Sequence, residues 1–279
     1  MLKYNIDRNS LEKLYIAFIR PILEYGNVIF DNCTQEESNL LESVQYDAAR
    51  IITGMRRGTP KFKLYKELGW DSLQNRRKNQ KLIFIFKALH GYLPSYISDL
   101  VLSQININEN YNIRKPRYFA IPHARTISYQ KSFFPDTLDM WNKLDIGIQS
   151  ITSLSEFKNK LNNEIEKPPC HYSLGPRKLN IVYCQLRNNV SNLNQHLYQS
   201  HLSESPFCAC GDIEDNFHYL YVCPLYDNPR RLLFNRLRNF EPILNVNVLL
   251  HGSLELSPEE NAEITNTVLD YINSTHRFQ

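Results

Sequence analysis

Cys208-Ala209-Cys210-Gly211 begins the segment around which this chain is organised, and His218 and Cys223 follow it closely. Together the three cysteines and the histidine have the spacing C-x-C-x7-H-x4-C. Proteins bind Zn²⁺ with tetrahedral sets of three thiolates and one imidazole of this kind. Gly211 lets the backbone turn after the second thiol, and Pro224 ends any helix that carries His218 and Cys223. The pattern therefore predicts a zinc site.

Two other interpretations of the same residues stay open. The usual zinc pairing is C-x2-C, whereas the first pair here is C-x-C. The cysteines could instead be reduced, partly buried side chains next to a core histidine. A disulfide between Cys208 and Cys210 is disfavoured, because so small a ring is strained.

Composition and length indicate a globular protein of two or three compact regions. The chain has 279 residues, of which 42% are hydrophobic. Its 6 cysteines do not follow the spacing of a secreted disulfide scaffold, and residues 1–20 contain no apolar core of a signal peptide. No apolar run approaches the length of a membrane span. We therefore expect an intracellular protein, nuclear or cytoplasmic, without membrane association.

Apolar spacing and capping residues predict a mainly α fold with a minor β hairpin around 117–134. A helix over 11–30 should be kinked or split at Pro21, and a capping box of Thr34 and Glu37 should begin a second helix that ends at Gly54. A third helix should run from a cap at Asp71 and Gln74 to His90, and residues 103–112 should form a loop. The predicted core contacts are Leu14, Phe18, Ile22, Val44, Ile51, Ile85 and Leu89.

Further patterns divide the remainder of the chain. Trp141 lies on an apolar helical stripe and is expected in the core, and Ser257 begins the last helix. Lys167-Pro168-Pro169 indicates a boundary. We therefore predict a helical domain over 1–102, a connecting region with the Trp141 helix over 103–167, and a C-terminal helical domain with the Cys/His element over 168–279.

Positive charge is concentrated in one part of the sequence. Residues 50–87 hold 11 Lys and Arg residues against only Glu67 and Asp71. Such a basic stripe favours a polyanion, most often a nucleic acid, as the partner; a solvated helix face is the alternative. The predicted contact residues are Arg50, Arg56, Arg57, Lys61, Arg76, Arg77, Lys78 and Lys81.

Familiar catalytic motifs are missing from the sequence. It contains no Gly-rich phosphate loop, no Gly-x-Ser-x-Gly elbow and no Asp-Asp pair on which a two-metal polymerase centre could be built. We therefore do not expect this chain to be an enzyme by itself.

Several motifs occur in a characteristic order along nearly the whole chain. The first is Ile19-Arg20-Pro21-Ile22-Leu23-Glu24-Tyr25, with the aromatic Phe30 shortly after it. The later ones are Ala48–Gly54, Leu64–Trp70, Arg76-Arg77, Ser132-Phe133-Phe134, Trp141–Leu144, the Cys208/Cys210/His218/Cys223 segment with Pro224, and Thr275–Phe278. In this order they resemble the thumb and C-terminal part of the reverse transcriptases of LINE-type (non-LTR) retrotransposons.

The resemblance implies a helical thumb-like bundle and a small zinc-knuckle-like element. It implies that the chain binds RNA, an RNA/DNA hybrid or target DNA. In the family, the fingers and palm with the Tyr/Phe-x-Asp-Asp motif lie upstream, so an upstream palm segment is a further possible partner. Polymerase activity does not transfer to a chain without that motif.

Three functional hypotheses arise from these observations. The first is a nucleic-acid-binding part of a reverse transcriptase, whose binding should weaken with salt. The second is a non-enzymatic, zinc-stapled protein-interaction module derived from a retroelement, which should expose an apolar patch instead. An independent enzyme, the third, has almost no support in the sequence.

Overall fold

A computed structural model describes residues 5–104, 119–162 and 166–278 of the protein. This part of the chain is mainly helical, as predicted, and contains no sheet. An isolated antiparallel β-bridge joins Phe207 to Ile213. The hairpin predicted around 117–134 is not shown: residues 117 and 118 lie outside the described ranges, and in the remainder Thr126 caps a short helix by accepting a hydrogen bond from the backbone N–H of Tyr129.

The α-helices of the described residues follow in chain order. They are α1 (Arg8–Leu14), α2 (Arg20–Glu24), α3 (Asn27–Phe30), α4 (Gln35–Thr53), α5 (Lys61–Leu68), α6 (Leu73–Leu89), α7 (Ser95–Gln104), α8 (Ile127–Gln130), α9 (Phe133–Lys143), α10 (Ile146–Gln149), α11 (Leu154–Asn162), α12 (Arg177–Arg187), α13 (Asn194–Gln199), α14 (Asp227–Arg236), α15 (Val246–His251) and α16 (Pro258–Ser274). Two π-helices cover Tyr15–Ile19 and His218–Val222, and three 3₁₀-helices cover Cys170–Ser173, Pro224–Tyr226 and Arg238–Ile243.

The chain divides into two compact units that are not consecutive in sequence. Unit 1 comprises Met1–Ala17, Tyr46–Gly69 and Lys167–Gln279, and unit 2 comprises Phe18–Gln45 and Trp70–Glu166. This division differs from the three consecutive domains expected over 1–102, 103–167 and 168–279, although a boundary does fall beside Lys167. Buried hydrogen bonds of Glu67 with Arg8 and with Arg187 of α12 join the separate segments of unit 1.

Unit 1 has its core among the C-terminal helices. Helices α12, α14 and α15 all pack on α16, and α12 also contacts α15. Fully buried side chains of this core include Leu186, Tyr219 and Val268, and Cys208 and Cys223 belong to the same apolar cluster. The Cys/His segment is therefore part of the core of unit 1.

A buried ion cluster joins three distant segments of unit 1. Glu67 on α5 pairs with Arg8 at the start of α1 (Nη1 to Oε1, 2.7 Å) and with Arg187 at the end of α12. The three side chains are at most 4% exposed. Burial by itself would raise the pKa of Glu67, but the positive charges of Arg187 and Arg8 outweigh it and lower that pKa to about 2. Glu67 is therefore ionised over the whole physiological pH range.

Unit 2 is built around α6. This helix packs against α3, α7, α9 and α11. Phe86 of α6 stacks on Phe157 with ring centroids 4.3 Å apart, and Trp141 lies 5.7 Å from Phe157. Trp141 and Ile85 are completely buried, which confirms their predicted core positions, and Leu89 packs on the same cluster from its edge.

The first helical stretch departs from the predicted packing. Regular α-helix gives way to the π-helix Tyr15–Ile19, and Pro21 then lies in the first turn of α2, so the predicted disruption at this proline is present. The change of helical period turns Tyr15 inward, to 2% exposure. Leu14, Phe18 and Ile22 are exposed instead, so their assignment to the core was wrong.

The face that α4 buries also differs from the predicted one. The capping box of Thr34 and Glu37 is present, with Thr34 N–H donating to Glu37 (2.8 Å) and Glu37 N–H donating to Thr34 (3.2 Å). The predicted core residues Val44 and Ile51 are nevertheless exposed. The buried residues of the helix are Ser38, Glu42, Gln45, Ala49 and Ile52, together with Thr53 at its end.

Buried polar partners explain this choice of face. Glu42 accepts a hydrogen bond from the N–H of Leu73 (3.0 Å), and Gln45 donates to the carbonyl of Asp71 (2.9 Å). These contacts fix the start of α6, where the N-cap is Ser72 rather than the predicted Asp71. An apolar count along the helix does not register such hydrogen bonds.

The remaining sequence predictions have simple outcomes. The capping box at Ser257 is present at the start of α16. Of the predicted loop over 103–112, residues 103 and 104 end α7, and 105–112 lie outside the described residues. No helix in the described ranges combines the length and the apolar character that a bilayer span requires.

We predict that Glu67→Gln destabilises the protein by about 3–5 kcal/mol near neutral pH, because two buried guanidinium groups lose their carboxylate. The pKa of Glu67 is lower in the folded chain, about 2, than its ordinary value of 4.5. The carboxylate therefore stabilises the fold fully above pH 4.5 and loses this effect as the pH falls toward 2. The difference between parent and variant in urea unfolding should shrink over that pH interval.

Glu263→Gln is the matched control, since Glu263 is exposed on α16 of the same unit. It should change the free energy of unfolding by no more than about 0.5 kcal/mol. A Glu67→Gln protein as stable as this control at neutral pH would contradict the role assigned to the ion cluster.

Candidate metal centre

A tight turn brings the first two cysteines together. The bridge of Phe207 to Ile213 closes the turn, and within it the N–H of Cys208 donates to the carbonyl of Asp212 (2.7 Å). Gly211 donates to the carbonyl of Cys208 (3.0 Å) and has φ +103°, a conformation that favours glycine. The turn residue singled out in the sequence is therefore needed for its backbone conformation.

A short π-helix positions the other two side chains. The carboxylate of Asp215 accepts a hydrogen bond from the N–H of His218 (2.7 Å), at the beginning of the π-helix His218–Val222. The N–H of Cys223 donates to the carbonyl of His218 (2.8 Å), and Pro224 then begins a 3₁₀-helix. The π-helical turn therefore sets His218 and Cys223 on one side of the segment.

The four side chains converge as predicted. Their ligand atoms all lie within 4.8 Å of one another, and in the described part of the chain this is the group of His, Cys, Asp and Glu residues that could hold a metal ion. The Sγ atom of Cys223 lies 3.7 Å from Sγ of Cys208 and 3.9 Å from Sγ of Cys210. The Sγ atom of Cys210 lies 3.2 Å from Nε2 of His218.

These separations fit a tetrahedral metal centre. An ion with metal–sulfur bonds of about 2.3 Å holds two sulfur ligands roughly 3.8 Å apart, and a sulfur and a nitrogen slightly closer. A disulfide would require about 2.05 Å between sulfur atoms. All six cysteines, Cys208 and Cys210 included, are free thiols.

Electrostatics at the cluster also suit a cation. Burial raises the pKa of the Cys223 thiol to about 12, which disfavours a thiolate without a compensating charge. A divalent cation supplies that charge and keeps its thiol ligands deprotonated. The Asp212 carboxylate lies 4.0 Å from Nδ1 of His218, the ring nitrogen that does not face the cysteines.

Residues outside the cluster hold its backbone in place, and sequence reasoning missed them. Buried Arg230 of α14 donates to the carbonyls of Leu220 (3.2 Å) and Cys223. The hydroxyl of Tyr271 donates to the carbonyl of Tyr219 (2.5 Å). Asp215, three residues before His218, has the spacing of an N-cap and could have been found in the sequence. The other two lie farther along the chain and carry no local signal.

The predicted basic residues of unit 2 are mostly engaged within the fold. Arg77 and Lys81 are 2% and 1% exposed, and both pair with Asp31, at 2.8 Å and 2.5 Å. Lys81 also pairs with Asp136 (2.9 Å), and Arg76 pairs with Glu24. The prediction that Arg77 and Lys81 lie on a solvated, phosphate-binding stripe is therefore wrong. Both side chains are buried, because they pair with carboxylates that are distant in sequence.

Lys78 differs from these neighbours, because its side chain is exposed. It has no ion pair or hydrogen bond to another described residue. Of the four predicted contact residues on α6, Lys78 is the one that pairs with no carboxylate of the described residues.

The predicted basic residues of unit 1 are more accessible. Arg57 and Lys61 are exposed and have no carboxylate partner in the described ranges. Arg56 is half-buried and donates to neutral groups, the carbonyl of Ser191 (2.8 Å) and the side chain of Asn192. Arg50 pairs with Asp47 on its own helix (3.3 Å). The loop 55–61 therefore presents net positive charge.

Comparison with known proteins gives no match to a protein family, a curated protein or a solved structure. A functional assignment therefore depends on the residues and the geometry of this chain.

Arg77 and Lys78 are adjacent in sequence, so their variants compare a buried, paired cation with an exposed, unpaired one. We expect Arg77→Ala to cost about 3–5 kcal/mol of stability, because it leaves Asp31 without one of its buried partners. Lys78→Ala should change stability by less than about 0.5 kcal/mol. Urea unfolding followed by circular dichroism measures both, and equal stability of the two variants would argue against the buried pairing.

Proposed function

We propose that this chain is a zinc-binding, nucleic-acid-binding C-terminal portion of a LINE-type retrotransposon reverse transcriptase, without polymerase activity of its own. The observation that carries the proposal is the convergence of Cys208, Cys210, His218 and Cys223 on one small volume. The order of motifs that resembles this family supports the assignment, and the sequence has no Asp-Asp pair to support polymerisation.

Zinc is the ion that the donor set favours. Three thiols and one imidazole match the soft and borderline ligands that Zn²⁺ takes in tetrahedral sites. All four coordination positions would be filled by the protein, which is typical of structural zinc, whereas catalytic zinc keeps one position open. The zinc would therefore stabilise the fold and would not activate water.

The location of the site explains what such an ion would hold together. Cys208 and Cys223 belong to the core cluster of unit 1, and their segments otherwise connect through few backbone hydrogen bonds. Because the ligands come from a turn and from a π-helix, one ion would fix both elements on that core. Part of the binding free energy then becomes folding free energy.

The nucleic-acid part of the proposal rests on the loop 55–61. Arg57 and Lys61 are exposed cations, and no Asp or Glu occurs between Met55 and Lys66. Cations of this kind bind phosphate groups and release counterions, so affinity depends on salt and little on sequence.

We predict that the purified chain contains one equivalent of zinc and that Cys223→Ser loses it. Since zinc contributes to folding, both Cys223→Ser and a strong chelator should lower the midpoint of thermal unfolding. Elemental analysis gives the metal content. Substitution with cobalt should give the visible absorption of a tetrahedral thiolate site.

Cys170→Ser is the control, because Cys170 is exposed and lies outside the cluster. It should keep one equivalent of zinc and the parental unfolding midpoint. Stoichiometric zinc in Cys223→Ser, or none in the parent, would refute the zinc site.

We predict that the double variant Arg57→Ala/Lys61→Ala binds RNA, DNA and hybrid duplexes more weakly, and equally so for all sequences. Two phosphate contacts would be lost, so the slope of log affinity against log salt should flatten by about 1.5 units. Fluorescence anisotropy at several salt concentrations measures this slope.

The control removes the same number of charges elsewhere in unit 1. Arg231 and Arg238 are exposed, and Arg231→Ala/Arg238→Ala should keep the parental slope. If both double variants behave as the parent does, the loop does not bind phosphate groups and this part of the proposal fails.

A protein-interaction module is the second candidate function, and one observation favours it. In unit 2, Phe18, Ile22, Tyr25, Ile29 and Leu40 are between 67% and 86% exposed. Apolar side chains this exposed are typical of surfaces that bind other proteins. Under this hypothesis the zinc would only stabilise the fold, and the salt titration would detect no nucleic-acid binding by the parent.

A further inference from the structure

A cationic cavity lies behind the basic loop of unit 1. Its volume is about 430 Å³, within the range of small-molecule sites. The loop 56–60 and the first turn of α5 form one wall, and Asn189, Val190, Gln199, Ser200 and Leu202 form the other. Among the described residues, three cations line the cavity, Arg56, Arg57 and Lys63, and no carboxylate does.

The charges of these cations are not neutralised by their hydrogen bonds. Arg56 donates to the carbonyl of Ser191 and to the Asn192 side chain, and Lys63 donates to the carbonyl of Asn188 (2.8 Å). These acceptors are neutral, so each side chain keeps its full positive charge. Arg57 has no hydrogen bond or ion pair to another described residue.

Arg56 also has donor capacity left over. Its Nη1 atom is buried and has no hydrogen-bond partner in the described structure. Burial lowers the pKa of Arg56, and no carboxylate of the described residues raises it. Buried donors of charged groups normally have partners, and an anionic ligand would supply one here.

The backbone around the cavity adds to the positive potential. Helix α5 begins at Lys61, and its N-cap residue, Pro60, provides no side-chain hydrogen bond to the first turn. The N-terminus of a helix carries partial positive charge and unsatisfied N–H groups, which attract oxyanions. Thr59 and Pro60, which precede the helix, are part of the cavity wall.

Unusual backbone conformations occur in the opposite wall. Asn189 lines the cavity with φ +55°, and His201, between the lining residues Ser200 and Leu202, also has φ +55°. A third non-glycine residue of the described ranges, His276, has positive φ elsewhere. Such conformations cost free energy and are often found at binding sites.

We propose that this cavity binds a phosphate monoester, carried by a free nucleotide or by the terminal nucleotide of a nucleic-acid strand. A monoester carries a charge close to −2 at neutral pH and suits three uncompensated cations, whereas an internal phosphodiester carries only about −1. No aromatic side chain of the described residues lines the cavity, so the phosphate rather than the base is recognised. The choice of a strand end as the source of the phosphate rests on the proposed function, whereas binding of a free nucleotide does not.

The experiment compares three probes on the full chain: adenosine monophosphate, a single-stranded oligonucleotide with a terminal phosphate, and the same strand with terminal hydroxyl groups. Isothermal titration calorimetry measures the mononucleotide, and fluorescence anisotropy measures the strands. We expect the phosphorylated strand to bind roughly tenfold more tightly than the hydroxyl-ended strand. Adenosine monophosphate should abolish that difference by competition.

Two variants locate the site. Arg57→Gln removes a charge, and Ser200→Phe obstructs the cavity without a change of charge; both should remove the preference for the phosphorylated strand. Arg238→Gln and Asn266→Phe are the matched controls on exposed positions of the same unit and should keep it. Thermal unfolding of each variant establishes that it is folded.

The outcomes separate the cavity from the proposed function. Variant-sensitive binding of adenosine monophosphate, without binding of either strand, supports the cavity and speaks against nucleic-acid binding. Equal affinity for both strands, with no measurable binding of the mononucleotide, would overturn the inference. So would a preference for phosphorylated ends that Ser200→Phe and Arg57→Gln leave unchanged.

Discussion

The carboxylate of Glu67 between Arg8 and Arg187 is the constraint on which unit 1 depends. Each of the three charges would be costly to bury alone, so the segments that carry them must meet or the chain must unfold locally. Arg8 also donates to the backbone carbonyl of Glu67 (2.5 Å), which fixes the end of α5 as well as its side chain. This requirement joins residues near 8, 67 and 187 and explains why unit 1 is discontinuous in sequence.

The same arrangement positions the cationic cavity. Helix α5 ends near the ion cluster at Glu67, and α12 ends at Arg187, just before the cavity residues 189 and 190. One wall of the cavity therefore precedes α5, and part of the other follows α12; the buried charges of Glu67 and Arg187 join these two helices. A site built on elements held in this way is more precisely positioned than a site on free loops.

The candidate metal centre and the helices show which features could be predicted from the sequence and which could not. The four side chains of the candidate metal centre were predictable because they lie within sixteen residues of sequence, where spacing alone limits their separation. The contacts that hold their backbone in place were not predictable, since Arg230 and Tyr271 lie on α14 and α16, farther along the chain. Helical content and the capping boxes at Thr34 and Ser257 were likewise predictable from local hydrogen-bonding preferences. The buried faces predicted for the first helix and for α4 were wrong. The spacing of apolar residues does not indicate a π-helical turn or buried polar contacts.

The cations of residues 50–87 differ in what they can bind, although their sequence suggests one continuous surface. Arg77 and Lys81 both pair with Asp31, which lies more than forty residues earlier. Arg57, Arg56 and Lys63 meet only solvent or neutral acceptors among the described residues. Arg77 is buried and paired with Asp31, so a phosphate in solvent can reach its guanidinium only if this pair is broken, at a cost of several kcal/mol. An exposed arginine, or one bonded to a carbonyl, can add a phosphate contact while it keeps its charge. The nucleic-acid binding that we propose is therefore assigned to the loop before α5 and not to the basic face of α6, because carboxylates pair with cations of α6 and, among the described residues, with none of the loop.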